Sequence, residues 1–414
     1  MSSRLGYILL QTFLMLVSPI CSFVVSLRFY KNELTQIFFI VFAFYFGFFC
    51  GHFHDLDVHY YEFMQYYVGH SLLDILNNPL TFSHGHEPYH FILKYIVSRF
   101  TTSSQVFGGV ACASYYFFFL FFFRQFKSFY QKPMMLSVAM CLGIICLVVE
   151  FWWYSNIRFW AGGYFLAGMY MKYVNTEKRR YLVLALLAPL FHFSLVTADL
   201  ALILNFILNY LGKFVRFGLL VLSLFVRSLN IDFVPLLLKY VPWANENLAM
   251  GVVNKTTRKS VLNYMQSYRQ EGNIVYNLRP YIILLLGLMV LGILRFAKAR
   301  FDKRYSPLFF MFLTLFSVAN FGYADMYFYN RFSLMSFLFL WMYVFVVMYS
   351  NAAMMRRNNL LLVIILILPL IYFFITPITQ FRSYILQPEL FFGNFFMDWD
   401  GNALDIDYHR RLIR

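Results

Sequence analysis

Charge is what this sequence has least of. Only 13% of its 414 residues are charged, and acidic groups are the scarcer sign, 19 Asp and Glu against 34 Lys and Arg. An ordinary soluble domain carries about twice that share of charge, so a water-solvated globule is excluded. Cysteine is sparse as well. Cys21, Cys50, Cys112, Cys141 and Cys146 lie inside or at the ends of apolar runs, with no CxxC and no Cys/His spacing. That excludes a zinc module and a disulfide framework and leaves small core hydrophobes. No Gly-rich phosphate loop occurs, so nothing announces a nucleotide or sugar-nucleotide donor. The first apolar run, 5–27, is long for a signal-peptide h-region and lacks an A-x-A-like exit, so no cleaved signal is expected.

What remains is apolar and aromatic. Hydrophobic residues make up 61% of the chain, with 53 Phe and 32 Tyr, and the mean hydropathy is +0.62. A bilayer-crossing helix needs about 20 apolar residues, fewer where helices pack in a bundle. On that measure the sequence predicts an all-α, polytopic integral membrane bundle of about 12 helices. The spans fall near 5–27, 34–51, 104–123, 133–150, 157–174, 181–197, 198–212, 216–234, 280–296, 305–323, 331–349 and 358–376. Within 181–212, two short spans meeting near Asp199 are preferred to one long helix kinked at Pro189. No internal repeat or broken-helix pair is seen.

The net charge of +15 is no nucleic-acid footprint, because the basic residues sit in short clusters between apolar runs. One set of loops carries Arg124, Lys127 and Lys132, then Lys178, Arg179 and Arg180, then Lys298, Arg300, Lys303 and Arg304. In the alternate set 51–90, 150–156 and 324–330 have none, although the long 235–279 loop holds six. By the positive-inside rule both termini face outward. The chain is then one transmembrane domain over 1–414. Loops 51–103 and 235–279, with amphipathic helices, and the polar tail 377–414 lie outside. Within the first loop, 58–78 and 88–100 read as short surface helices, with Glu87-Pro88 opening the second.

Residues 51–90 hold seven of the nine histidines and five carboxylates. His-x-His beside a carboxylate can ligate zinc or manganese, but the spacing matches no closed site, so no metal and no other cofactor is expected. A solvated loop and an acceptor-binding region with a general base are the other readings, and the carboxylates near a span end favour the last.

Charges inside spans are costly and mark functional cavities. Arg158 opens one span just after Trp152-Trp153-Tyr154-Ser155-Asn156, and Arg331 opens another just after Tyr327-Phe328-Tyr329-Asn330. Two guanidiniums at one membrane face, at helix N-termini, form a fork for phosphate or pyrophosphate. Interfacial snorkelling is the alternative, and Glu150 is a possible ion-pair partner for Arg158. Arg227 is a further, deeper candidate. His192, with Ser194 and Asp199 near it, reads equally as a core histidine or an oriented base.

Four pieces in order give a family resemblance: Asp57-x-x-Tyr60, Glu87-Pro88-Tyr89, Ser155-Asn156-Ile157-Arg158-Phe159-Trp160-Ala161, and Phe191-His192-Phe193-Ser194-Leu195. Arg331 at the start of a late span fits too. In these the chain resembles the EpsG/Wzy-type polysaccharide polymerases, although the His-rich insert and the Glu-Pro pair depart from that pattern. The resemblance implies a glycosyltransferase-type polymerase in the bacterial cytoplasmic membrane with its active site facing outward. It would join undecaprenyl-pyrophosphate-linked repeat units into an O-antigen, capsule or exopolysaccharide, beside assembly proteins such as a flippase and a chain-length regulator. Asp57, Glu87 or His192 would be the base, and Arg158 and Arg331 would hold the leaving pyrophosphate. Tyr60, Trp152, Trp153, Asn156, Ser194, Tyr329 and Asn330 would contact the glycan. A lipid-oligosaccharide transporter and a membrane acyltransferase are the competing expectations.

Overall fold

The computed structural model describes residues 2–49, 55–77, 87–149, 157–228, 274–323, 326–356 and 359–380. Glu150, Trp152, Trp153 and Asn156 lie outside them, as does most of the expected outer loop 235–279 and tail 377–414. Among the described residues every regular element is helical. The helices are α1 (Ser2–Val17), α2 (Pro19–Arg28), α3 (Glu33–Phe49), α4 (Asp55–Tyr66), α5 (Leu72–Asn77), α6 (Pro88–Ser98), α7 (Ser104–Phe123) and α8 (Leu136–Leu147). They continue as α9 (Ile157–Thr176), α10 (Arg180–Ala185), α11 (Val196–Leu211), α12 (Lys213–Ser228), α13 (Ile274–Phe296), α14 (Ser306–Phe321), α15 (Met326–Ser350) and α16 (Asn359–Gln380).

Helix covers all or part of each apolar segment singled out above. Two helical stretches, Ser104–Tyr130 and Phe328–Ser350, are long and apolar enough by themselves to cross a membrane. Two segments differ from expectation. The run 5–27 is not one helix but two, divided at Ser18, because Pro19 sits at the first position of α2, where it needs no intrahelical bond partner. Ser22 Oγ donates to Gln11 Oε1 at 2.6 Å across that break. The segment 181–197 is broken more severely. After α10 come two single 3₁₀ turns, Ala188–Leu190 and Phe193–Leu195, before α11 begins. The join therefore falls at His192, and Asp199 lies inside the first turn of α11. Pro189 cannot donate to a preceding turn, which removes the bond that would have continued α10.

The core is built around α15, which is apolar all round and almost wholly buried from Phe332 to Met348, the pattern of a central rather than a peripheral helix. Elsewhere α3 lies against α7 with almost no side-chain spacer. A Cβ built on Gly47 would stand 2.4 Å from Cys112 Cβ and 2.5 Å from the Gly108 carbonyl oxygen. Backbone cannot retreat as a flexible side chain can. Gly47→Ala is therefore expected to cost about 1–3 kcal/mol or more, read as a lower midpoint of thermal unfolding in detergent. An unchanged midpoint would show that the two helices are not this close.

Polar contacts also fix which helix ends lie together. Lys127 pairs with Glu33, Arg124 Nε donates to Gln36 Oε1 at 2.5 Å and Asn175 Nδ2 donates to the Gln125 carbonyl at 3.1 Å. These contacts gather the start of α3 and the ends of α7 and α9 at one basic end. The start of α9 lies at the other end, and the candidate site is there.

Candidate active site

Glu87 precedes α6 in the N-cap position, in extended conformation with Pro88 after it. A Glu there usually satisfies its own helix, but this side chain makes no cap bond and reaches across the bundle instead. Its Oε2 accepts from Arg158 Nη1 at 2.6 Å, and its Oε1 accepts from the backbone N–H of Phe193 at 3.2 Å. The carboxylate is buried, its side chain 6% exposed, and Arg158 is 20% exposed.

The Phe193 amide is available because the chain is unwound at that point. His192 is extended (φ −154°, ψ 124°) between the two 3₁₀ turns. The break presses onto α9 at Gly162, where a Cβ would stand 2.4 Å from Leu195 Cδ1 and 2.7 Å from Phe191 Cβ. His192 Nδ1 accepts from the Ser194 N–H at 3.1 Å and lies 2.8 Å from Ser194 Oγ. A ring nitrogen that accepts from an amide carries no proton, so the neutral imidazole holds its proton on Nε2. Nδ1 stands 4.0 Å from Glu87 Oε1, beyond a hydrogen bond.

Arg331, in the second turn of α15, places its guanidinium 5.3 Å above the Phe159 ring. That ring meets His192 edge-on at 5.7 Å. The charges of Arg158 and Arg331 both act on the His192 imidazole. Glu87, Arg158, His192, Ser194 and Arg331, drawn from four parts of the chain, thus share one locus.

Other expected residues are placed differently. Asp57 lies in the first turn of α4, and its side chain is outside the described residues. Tyr60 donates its hydroxyl to the Thr102 carbonyl at 2.9 Å and its ring packs on Phe63 and Phe107, a bracing role between α4 and α7. Tyr329 is buried at 3% exposure on the far flank of α15, because two residues along a helix turn the side chain by about 200° from Arg331. There its hydroxyl accepts from Arg227 Nη1 at 2.8 Å. The Arg227 guanidinium also faces the Tyr323 and Tyr281 rings. The Asn330 carbonyl accepts from Ser333 Oγ at 3.2 Å.

Beside Glu87 lies a group that spacing along the helices could have revealed. His59 and Glu62 are three apart on α4, and His90 and Lys94 four apart on α6, so each pair shares a face. His59 Nδ1 lies 3.4 Å from Glu62 Oε2, to which Lys94 Nζ also donates. The His59 and His90 rings meet edge-on at 4.1 Å. Burial, reinforced by the charge of Arg158, pushes the His59 pKa down to about 3. Burial and the nearby cations take His90 well below the ordinary imidazole range. Burial raises the Glu62 carboxyl, but the His59 hydrogen bond and the Lys94 ammonium outweigh it and hold Glu62 below its usual value. Burial brings Lys94 down to about 8 despite Glu62.

No family model, no curated protein and no solved structure matches the chain.

Proposed function

We propose that this protein is a multispanning membrane polymerase that joins lipid-pyrophosphate-linked oligosaccharides at the outer face of a bacterial cytoplasmic membrane. The carrying observation is the meeting of a buried carboxylate with Arg158, Arg331 and an oriented histidine at the end of the bundle opposite its basic loops. A twelve-span arrangement is supported by long apolar faces turned outward, among them Leu200, Ile203 and Phe206 on α11 and Phe217, Val221 and Phe225 on α12. Soluble monomers rarely present patches of that extent.

In the reaction the bond from the donor glycan's anomeric carbon to its pyrophosphate oxygen breaks, and the electron pair leaves with the pyrophosphate. A hydroxyl of the acceptor unit forms the new bond to that carbon. Arg158 and Arg331 stabilise the charge gained by the leaving group, and His192 Nε2–H adds a donor. Because His192 Nδ1 already accepts from Ser194 and its proton sits on Nε2, Glu87 is the better base of the pair. At rest Arg158 occupies one of its oxygens. When the pyrophosphate draws Arg158 away, the freed carboxylate takes the acceptor proton. Base and substrate binding are thereby coupled through one guanidinium.

A transporter of lipid-linked glycans is the second reading, favoured by the unwound segment 186–195, since broken helices frame transporter sites. A strain lacking the protein separates the two by gel analysis of its surface glycan. Loss of a polymerase leaves single repeat units on the surface, whereas loss of a flippase leaves none. Full-length polymer in that strain would defeat both.

A further inference from the structure

We infer that His59, Glu62 and His90 form a binding site for one divalent transition-metal ion of the zinc class, tying α4 to the first turn of α6. One ligand atom from each lies within 4.8 Å of the others. Two imidazoles and one carboxylate are the donor set that borderline divalent cations take in open, three-ligand sites. Ligands on a helix at i and i+3, facing a second helix, are a recurrent way for bundles to build such sites.

A second observation points to a ligand. His90 is 6% exposed, and its Nε2 is buried with no hydrogen-bond partner among the described residues. A buried ring nitrogen without a partner is unusual, and here it sits in the group that supplies the other two donors. Metal–ligand bonds of about 2.1 Å in a tetrahedron set the donor atoms about 3.4 Å apart. The cluster must therefore close by about 1.4 Å, within reach of side-chain rotation. Lys94 opposes closure, since its ammonium holds the Glu62 oxygen and must release it. The cation in place now is the lysine's own, and the metal takes the same carboxylate. His90 is one helical turn from Glu87, so a bound ion would fix the start of α6 and with it the carboxylate described above. The inference does not depend on the glycan chemistry, since metal is read directly.

The test uses the full chain in detergent, stripped with a chelator and titrated with zinc or cobalt. One equivalent is expected, with the visible absorption of four-coordinate cobalt. X-ray absorption at the zinc edge of the unaltered protein should show two imidazoles and a carboxylate. His90→Asn is expected to weaken binding at least about 100-fold, and Lys94→Met to tighten it about 10-fold by removing the competing ammonium. A double His84→Asn, His86→Asn variant should bind as the parent does, which separates this site from the other histidines. All-oxygen or three-imidazole coordination, equal binding by the parent and His90→Asn, or no binding at all would overturn the assignment. Should His90→Asn fail to fold, the zinc-edge spectrum of the parent and the Lys94→Met titration still decide.

Discussion

Arg158→Lys abolishes surface polymer while the protein stays in the membrane at its normal level. The expected fall in polymerisation is about 10²–10³-fold, the loss that follows removal of one well-placed donor from a developing anion. A guanidinium offers five N–H groups in a planar fork, so it can hold Glu87 through Nη1 at 2.6 Å at rest and, once drawn away, present a two-point grip to a phosphate. An ammonium on a flexible stem is a point charge and cannot serve both with the same geometry. Glu87→Gln fails for another reason. It keeps the shape, removes the base and leaves Arg158 without its buried counter-ion, a change that costs about 3–5 kcal/mol where pairs are fully enclosed. If the two side chains act as one unit, the double variant should be no worse than the weaker single one. Glycan ladders on gels, read beside an immunoblot of the membrane fraction, measure all three. Normal chain length in Arg158→Lys sinks the coupling of Arg158 to the leaving group.

The helices were legible because an apolar run bounded by a basic cluster is a local signal, and a helix satisfies its backbone within its own length. Breaks were less so. Pro19 and Pro189 both stand in runs whose hydropathy never falls, so composition alone carried the reading through them, and the join expected at Asp199 lies instead at His192. The charged residues of the site could be found singly, since Glu87, Arg158, His192 and Arg331 each interrupt or border an apolar stretch. Their pairing could not. Glu87 and Arg158 are 71 positions apart, and no periodicity links them. Glu150, the near neighbour in sequence, lies outside the described residues, and the partner the structure shows is Glu87 at the N-cap of α6. His59, Glu62, His90 and Lys94 were not grouped, because 58–78 and 88–100 read as separate surface helices and 51–90 as an acceptor-binding region. What the sequence did not show is that α4 and α6 pack together and bury the face carrying these side chains. Tyr329 was grouped with Arg331 by adjacency, whereas helical rotation sends it to Arg227.

In the metal-free protein, acid is expected to loosen the layer made by α4 and α6 before it unfolds the bundle. The His59 pKa is about 3 in the folded chain against an ordinary 6.5, so folding favours its neutral form. A group with a depressed folded pKa contributes stability that is whole above the unfolded value and is lost as pH falls through the interval. Fully developed, the interval corresponds to at most about 5 kcal/mol, with about 2 kcal/mol already gone at pH 5. His90 moves in the same direction, and Glu62 adds to it only below the ordinary carboxylate range. Lys94, depressed to about 8, acts on the alkaline side and does not offset the loss. Protection of 55–66 and 88–98 against hydrogen exchange should therefore fall between about pH 6.5 and 4.5, while 332–348, buried and without groups that titrate there, stays protected. His59→Gln should flatten much of that dependence. Equal protection of 55–66 at pH 7.5 and 4.5 would mean that His59 is not held neutral by burial. Because the second cause of its depressed pKa is the Arg158 charge, an anion bound to Arg158 should ease protonation of His59 and move the transition to higher pH. That shift would tie the acid response of α4 and α6 to occupancy of the guanidinium beside Glu87.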